Sequence, residues 1–361
     1  MSAKEFSFNH KNMQNQPDYI DVSIIIPTYN RLWSLPKAVE SCRHNTCRTE
    51  IIVVDDGSSD GTWEWLQTQE DIVKIQQPNQ GQTWAINRGT AIAKGQYIRF
   101  LDSDDFLCPT IIDAQYYKAI ETGADLVYSR VDDLFYPSGT IDRKPDVPLW
   151  KDFIAVQLGD SYGSHFLGML FHRNLIDKVP RRPDFAYRED RMFLLEIGLL
   201  DPKLAVVPGC AGYWVHHDGQ MQANYKGLKA VTANWQHLNI YKRVLSQLNN
   251  RGELTLKRSK APCRILWTLA HLIAYTHLDE ACEVAEWIYQ LDPDFIPNNP
   301  GILGKLYQHL GFRHTEKILK VRRILISFTS QKYQSLQLSF NSSIAHIRAW
   351  FEPKNILNTT K

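Results

Sequence analysis

Residues 97–105 read YIRFLDSDD, a short apolar run that stops at three carboxylates within four positions. A run this short suits a strand buried on both faces, the kind found in parallel sheets. Working outward, VSIII (22–26) and IIVV (51–54) are runs of the same type, DLVYS (125–129) follows, and IVKI (72–75) is weaker. Helical stretches lie between them. One opens at Ser34-Leu35-Pro36, with Ser34 placed as N-cap and proline in the first turn. WEWLQTQ follows Gly61-Thr62, TWAINRGTAIAK stops at Gly95 as a C-terminal glycine, and TIIDAQYYKAIETG starts after Pro109. Strand alternating with helix predicts an open, mostly parallel α/β sheet with right-handed crossovers, flanked by helices.

Ligands of such sheets sit outside the carboxyl ends of the strands. The first strand ends in Pro27-Thr28-Tyr29-Asn30, the second in Asp55-Asp56-Gly57-Ser58, and YIRFL in Asp102-Ser103-Asp104-Asp105. Three polar clusters, far apart in the chain, are therefore expected on one edge. An acidic turn after a strand is also a common helix cap, so the signal is the convergence. Crowded carboxylates raise each other's cost of ionisation. Water can bear that charge; a buried site needs a cation. Asp102 and Asp104, at alternate positions, can offer oxygens on one side to a hard divalent ion. Tyr29 offers a flat surface to a nucleotide base, and Asp56 can accept from a base N–H. The plainer readings are a packed strand-end aromatic and an Asx turn before Gly57. No glycine-rich loop with a lysine and no GxGxxG follows the first strand, which argues against a P-loop or a dinucleotide enzyme.

The chain has 361 residues, room for one large or two ordinary domains. A formal net charge of +2 gives no reason to expect nucleic acid as a partner. Six cysteines, at 42, 47, 108, 210, 263 and 282, form no CxxC pair, which points to reduced thiols and a cytoplasmic protein. The polar, amide-rich first twenty residues lack the apolar core of a signal peptide and read as a flexible tail. No stretch approaches the ~18 apolar residues of a spanning helix.

Taken together and in order, VSIIIPTYNR, IIVVDDGSSDGT, NQGQTWAINRGTAIAKGQYIRFLDSDD and YREDRMFLLEIG resemble the family 2 glycosyltransferases of the GT-A fold, over roughly residues 22–220. The resemblance implies inverting, metal-dependent sugar transfer from a nucleotide sugar, UDP-linked by expectation, to a glycan or lipid-linked acceptor hydroxyl. It maps the nucleotide pocket onto Pro27, Tyr29 and Asp56. It maps the DxD motif onto Asp102-Ser103-Asp104, with Asp104 as direct ligand of Mn2+ or Mg2+ and Asp102 beside it. The general base falls on Asp190 of Glu189-Asp190, with Glu189 at the substrate. Ile86 precedes Asn87, itself expected at the substrate, where members often have arginine, so the phosphate-side contact is left to Arg88 or another cation. A histidine near the metal or diphosphate maps onto His216 or His217; on a strand the two face opposite sides, so at most one reaches a given metal.

Inverting transfer needs a second carboxylate, set apart from the metal side, to take the proton of the attacking hydroxyl. Asp190 fits, although acids in the first turn of a helix over 188–200 also suit the helix dipole without any catalytic role. SHFLGMLF (164–171) reads as a strand, and 131–148 as a loop-rich connection leaving the nucleotide-binding sheet. The expected organisation is a tail over 1–20, a glycosyltransferase domain over 21–224 (21–130 for the nucleotide sugar, 131–224 for the acceptor) and a helical region over 225–361. Residues 301–361 hold ten Lys/Arg against two Asp/Glu. Within EKILKVRRILISF (316–328), Ile318, Val321, Leu325 and Phe328 can share one helix face, which suits either a peripheral contact with the inner membrane surface or a helix docked on the protein. Two other functions remain open at this level: a nucleotide-sugar binding protein without turnover, and a nucleotidyltransferase.

Overall fold

The computed structural model of the chain describes residues 19–161, 163, 165–220, 226–297, 299 and 301–322. Four parallel strands form one half of the sheet, in the order β3 (Val73–Gln76), β2 (Thr49–Asp55), β1 (Val22–Thr28), β4 (Tyr97–Phe100). All seven residues of β1 are buried, which is why its sequence is mostly apolar instead of alternating. β3 lies at the edge and exposes both its ends, so its signal is weak. Ile24, Ile26, Val53 and Leu101 pack on one side with α1 (Leu35–Glu40) and α4 (Ile111–Thr122). Ile25, Ile52, Val54 and Phe100 pack on the other with α3 (Gln82–Ile92) and α7 (Glu189–Gly198). The period-2 alternation of a strand sorts the two sets.

Beyond β4 the sheet becomes mixed. β8 (Met169–His172) runs antiparallel to both β4 and β6 (Leu126–Phe135), and β9 (Leu204–His216) pairs parallel with β6. The two-residue β5 (Phe106–Leu107) adds to β9 in antiparallel register, Phe106 opposite Tyr213 and Leu107 opposite Gly212. A Cβ on Gly212 would stand 2.6 Å from the Phe106 carbonyl, so only glycine admits this pairing. The acidic turn 101–105 is thereby held at both ends: the Leu101 amide donates to Ile25 O at 3.1 Å, and Phe106 is locked to β9.

The open α/β sheet flanked by helices, followed by a helical region, is as the sequence predicts. Several local expectations change. Residues 131–148 are not a loop throughout: β6 runs on to Phe135 and turns back into β7 (Thr140–Asp142), the proline and glycine of 136–139 making the turn. Residues 166–168 are a 3-10 turn, and the strand begins only at Met169. Helix α3 ends at Ile92, and Gly95 serves close packing instead of a helix stop, since a Cβ there would lie 2.4 Å from the Ser23 nitrogen. Ser34 precedes α1 but does not cap it; its hydroxyl donates to Ser103 O at 2.8 Å, tying the first strand's loop to the acidic turn.

The helical region comprises α8 (Leu228–Asn250), α9 (Leu256–Lys260), α10 (Cys263–Ile273), α11 (Leu278–Leu291) and a helix over 301–322. Its core includes Leu238, Tyr241, Leu266 and Ile288, and it takes in Ile154 and Leu158 of α5 (Phe153–Leu158) and Met192, Leu195 and Leu199 at α7. Among the described residues no helix is long and apolar enough to cross a membrane. The expected tail lies, up to residue 18, outside the described residues, as does the expected basic stripe beyond residue 322; Ile318 and Val321 at its start are exposed.

Candidate active site

In the parallel half of the sheet Thr28 pairs with Asp55, and Asp55 with Gln76, so these strands end level with one another. The acidic turn follows β4 on the same edge. Asp102, Asp104 and Asp105 offer one oxygen each within 4.8 Å of one another. Asp105 is buried; one of its oxygens accepts from the Val215 amide at 2.8 Å, and the other has no partner. Burial, then the neighbouring carboxylates Asp102 and Asp104, holds the Asp105 carboxyl well above the usual range. Asp102 is raised in the same way, by burial first and then by Asp104 and Asp190, against the pull of Arg181 and a 2.7 Å hydrogen bond from Gln82.

Because β9 carries β5, the residues just past its end meet the acidic turn. His217 Nε2 stands 3.0 Å from Asp104 Oδ2. His216 turns to the other side, stacks on Phe135 and lies 3.1 Å from Asp133, so of the two metal candidates only His217 reaches the acidic cluster. Arg31 Nε lies 3.4 Å from the same Asp104 oxygen, and its guanidinium donates to Gly219 O at 3.4 Å. Trp33, half exposed, sets its ring edge-on to His217 and beside Tyr136, with centroids 5.0 and 5.4 Å away.

The residues expected at the nucleotide lie along this edge. Tyr29 is 46% exposed just past β1, and Pro27 is buried within it. The buried Asp56 carboxylate accepts from Gln77 Nε2 (2.7 Å), Gln80 N (2.9 Å) and Gly81 N (2.8 Å), so it shapes the loop before α3 and not an Asx turn toward Gly57. Asn87, expected at the substrate, engages both ends of its amide with the Arg181 backbone.

Glu189 and Asp190 open α7, and no side chain caps that helix. Both pair instead with one nitrogen, Arg181 Nη1, at 2.7 and 2.9 Å. Glu189 is buried, and burial pushes its carboxyl up to about 8 against the attraction of Arg181. Asp190 is 42% exposed, so it is the member of the pair that faces the open side. Sequence reasoning missed Arg181, Arg31 and Trp33. The signal for the first was an arginine pair, 181–182, just ahead of the acids; Arg31 closes the quoted VSIIIPTYNR and Trp33 follows it, but no charge pattern singles them out.

The strand ends of this α/β sheet thus gather an acidic cluster, a histidine and an arginine-held carboxylate on one edge. Residues 23–179 match the family Glycosyl transferase family 2. The chain is 35% identical to glycosyltransferase GlyG of Streptococcus pneumoniae over 127 residues, 32% of this chain and 42% of that protein. It is 35% identical to the UDP-Glc:alpha-D-GlcNAc-diphosphoundecaprenol beta-1,3-glucosyltransferase WfaP of Escherichia coli over 132 residues, 35% of this chain and 53% of that one. The chain thus spans about half the length of these relatives. The crystal structure of S. aureus TarS 1-349 in complex with UDP-GlcNAc aligns with a TM-score of 0.48 at 15% identity, covering 74% of this chain and 90% of that one.

Proposed function

We propose that this protein is an inverting glycosyltransferase that moves a sugar from a nucleotide sugar, UDP-linked, to an acceptor hydroxyl with the help of Mn2+ or Mg2+. The single observation that carries the reading is the placement of two acidic groups with different partners: Asp102, Asp104 and Asp105 with His217 at the strand ends, and Asp190 on Arg181 at the start of α7. The family match supports sugar transfer. The WfaP relative, named for a UDP-Glc donor and a diphosphoundecaprenol-linked acceptor, supports a UDP donor and a glycan or lipid-linked acceptor.

The acidic cluster fits a divalent cation on its own chemistry. One Asp105 oxygen is buried without a partner, and burial, then neighbouring carboxylates, raises both Asp102 and Asp105, a crowding of acids that a hard cation relieves. Asp104, Asp102 and His217 would hold it. Bound there, it supplies charge stabilisation to the leaving diphosphate. Tyr29 gives the base an exposed aromatic face, with Pro27 behind it in the strand, and Asp56 retains lone-pair capacity for a base N–H beyond its three donors. Arg31, beside Asp104, can turn its guanidinium to the diphosphate oxygens. Asp190 takes the proton of the acceptor hydroxyl as it attacks the anomeric carbon from the face opposite the leaving group. Glu189 stays behind it, buried on Arg181. The same reading assigns 21–224 to catalysis, with residues 131–224 facing the acceptor, and 225–361 to a helical region.

Incubation with a panel of nucleotide sugars and Mn2+ tests the proposal. Release of the free nucleoside diphosphate is the expected result. Release of pyrophosphate would point to nucleotidyl transfer, and binding with no release at all to a non-catalytic protein.

A further inference from the structure

We propose that Asn87 and Arg181 are positioning residues that mount the base, so that the donor-side helix α3 sets where the acceptor-side carboxylate stands. The inference rests on Asp190 being the base.

Asn87 and Arg181 are 94 positions apart, yet two hydrogen bonds clamp them: Asn87 Nδ2 donates to Arg181 O at 2.9 Å, and the Arg181 amide donates to Asn87 Oδ1 at 3.2 Å. A primary amide used at both ends fixes a backbone segment in position and direction. The Arg181 side chain, 2% exposed, then enters a box of three rings, with its guanidinium carbon 3.9 Å from the centroid of Phe193, 4.5 Å from Phe100 and 5.5 Å from Phe166. Phe193 belongs to α7 and Phe100 to β4, so the box is made by the elements that carry the base and the acidic turn. Its Nε and Nη2 are buried without a hydrogen-bond partner; its polar contacts run through Nη1 alone, to Glu189 and Asp190. Stacked on rings and shut off from water, the guanidinium has its orientation set by packing. Both carboxylates must follow one nitrogen. Asn87 thus acts through Arg181, and Arg181 through Asp190, without either touching substrate. A misplacement of about 1 Å in such a chain is worth up to ~10²-fold in rate.

The full-length protein with Mn2+ and a UDP-sugar that it turns over provides the test. Calorimetry reads UDP affinity, and UDP release reads turnover, for Asn87→Ala, Arg181→Met, Arg181→Lys, Asp190→Asn and the double variant Asn87→Ala/Asp190→Asn. The mount predicts UDP affinity within about twofold of wild type in all of them. It predicts turnover down ~10-fold in Asn87→Ala and ~10²-fold in Arg181→Met, partial recovery in Arg181→Lys, and a double variant no slower than Asp190→Asn alone. Loss of UDP affinity in Asn87→Ala would make Asn87 a donor contact and overturn the inference, as would a double variant slowed by the product of the two single effects. A second reading needs no turnover. Arg181→Met leaves two acids without their cation, so its urea midpoint should fall and Glu189→Gln should restore part of it; equal midpoints with and without Glu189→Gln would overturn the mount. Wild type that releases no UDP from any donor would count against the proposed function, and the urea series would still decide this inference.

Discussion

At the scale of single residues, the site divides labour between carboxylates that differ in their surroundings. Asp104 lies at the rim of the cluster, contacted by His217 and Arg31, while Asp190 stands on the Arg181 guanidinium. Replacing Asp190 with asparagine keeps its shape and removes its basicity, so transfer should fall ~10²–10⁴-fold while UDP affinity holds. Steady-state rates beside a binding titration check this, and a collapse of UDP affinity would instead place Asp190 on the donor side. Gly95 makes a prediction of another kind. A methyl group there meets the Ser23 backbone, so Gly95→Ala should cost ~1–3 kcal/mol or more in urea unfolding, with the slope unchanged.

Among elements, the contact of α7 with α8 is the one whose strength should depend on acid. His237 on α8 packs against Tyr241, and burial, followed by the charges of Arg188, just ahead of α7, and Arg191 on it, pulls its imidazole down to about 3. A group whose folded value lies below its unfolded one, near 6.5, stabilises the fold fully above the unfolded value. That contribution is lost as pH falls from about 6.5 toward 3. Urea midpoints measured across that window should drop in wild type and drop less in His237→Gln; parallel curves would dismiss the effect. Much of the element layout was legible because buried parallel strands leave continuous apolar runs: β1, β2, β4 and the start of β6 lie where the sequence predicts. The β6–β7 hairpin was not legible, because its strands are half exposed and its proline and glycine look like any loop. The acidic turn and the Glu189-Asp190 pair were legible as charge patterns. Arg181 was not, since its role comes from three rings and an amide that meet it only in the fold.

Over the whole molecule, the helical region shares a core with the sheet-side helices: Ile154, Leu158, Met192, Leu195 and Leu199 pack with Leu238, Tyr241 and Leu266. Removing residues 225–361 would bare that apolar surface directly behind the helix that bears Asp190. The truncated protein should therefore aggregate or unfold at lower urea than the full chain, as sedimentation and circular dichroism would report; a stable monomeric fragment would show that the helices are dispensable to the fold. At the strand-end edge a metal-assisted donor site and a base are proposed side by side. Calorimetric titration of UDP into the wild type, Asp104→Ala and Asp190→Asn, each with Mn2+ and with EDTA, tests it most directly. Mn2+-dependent binding is expected in the wild type and Asp190→Asn, and its loss in Asp104→Ala with the fold intact. Binding that is equally strong in EDTA, or undiminished in Asp104→Ala, would contradict it.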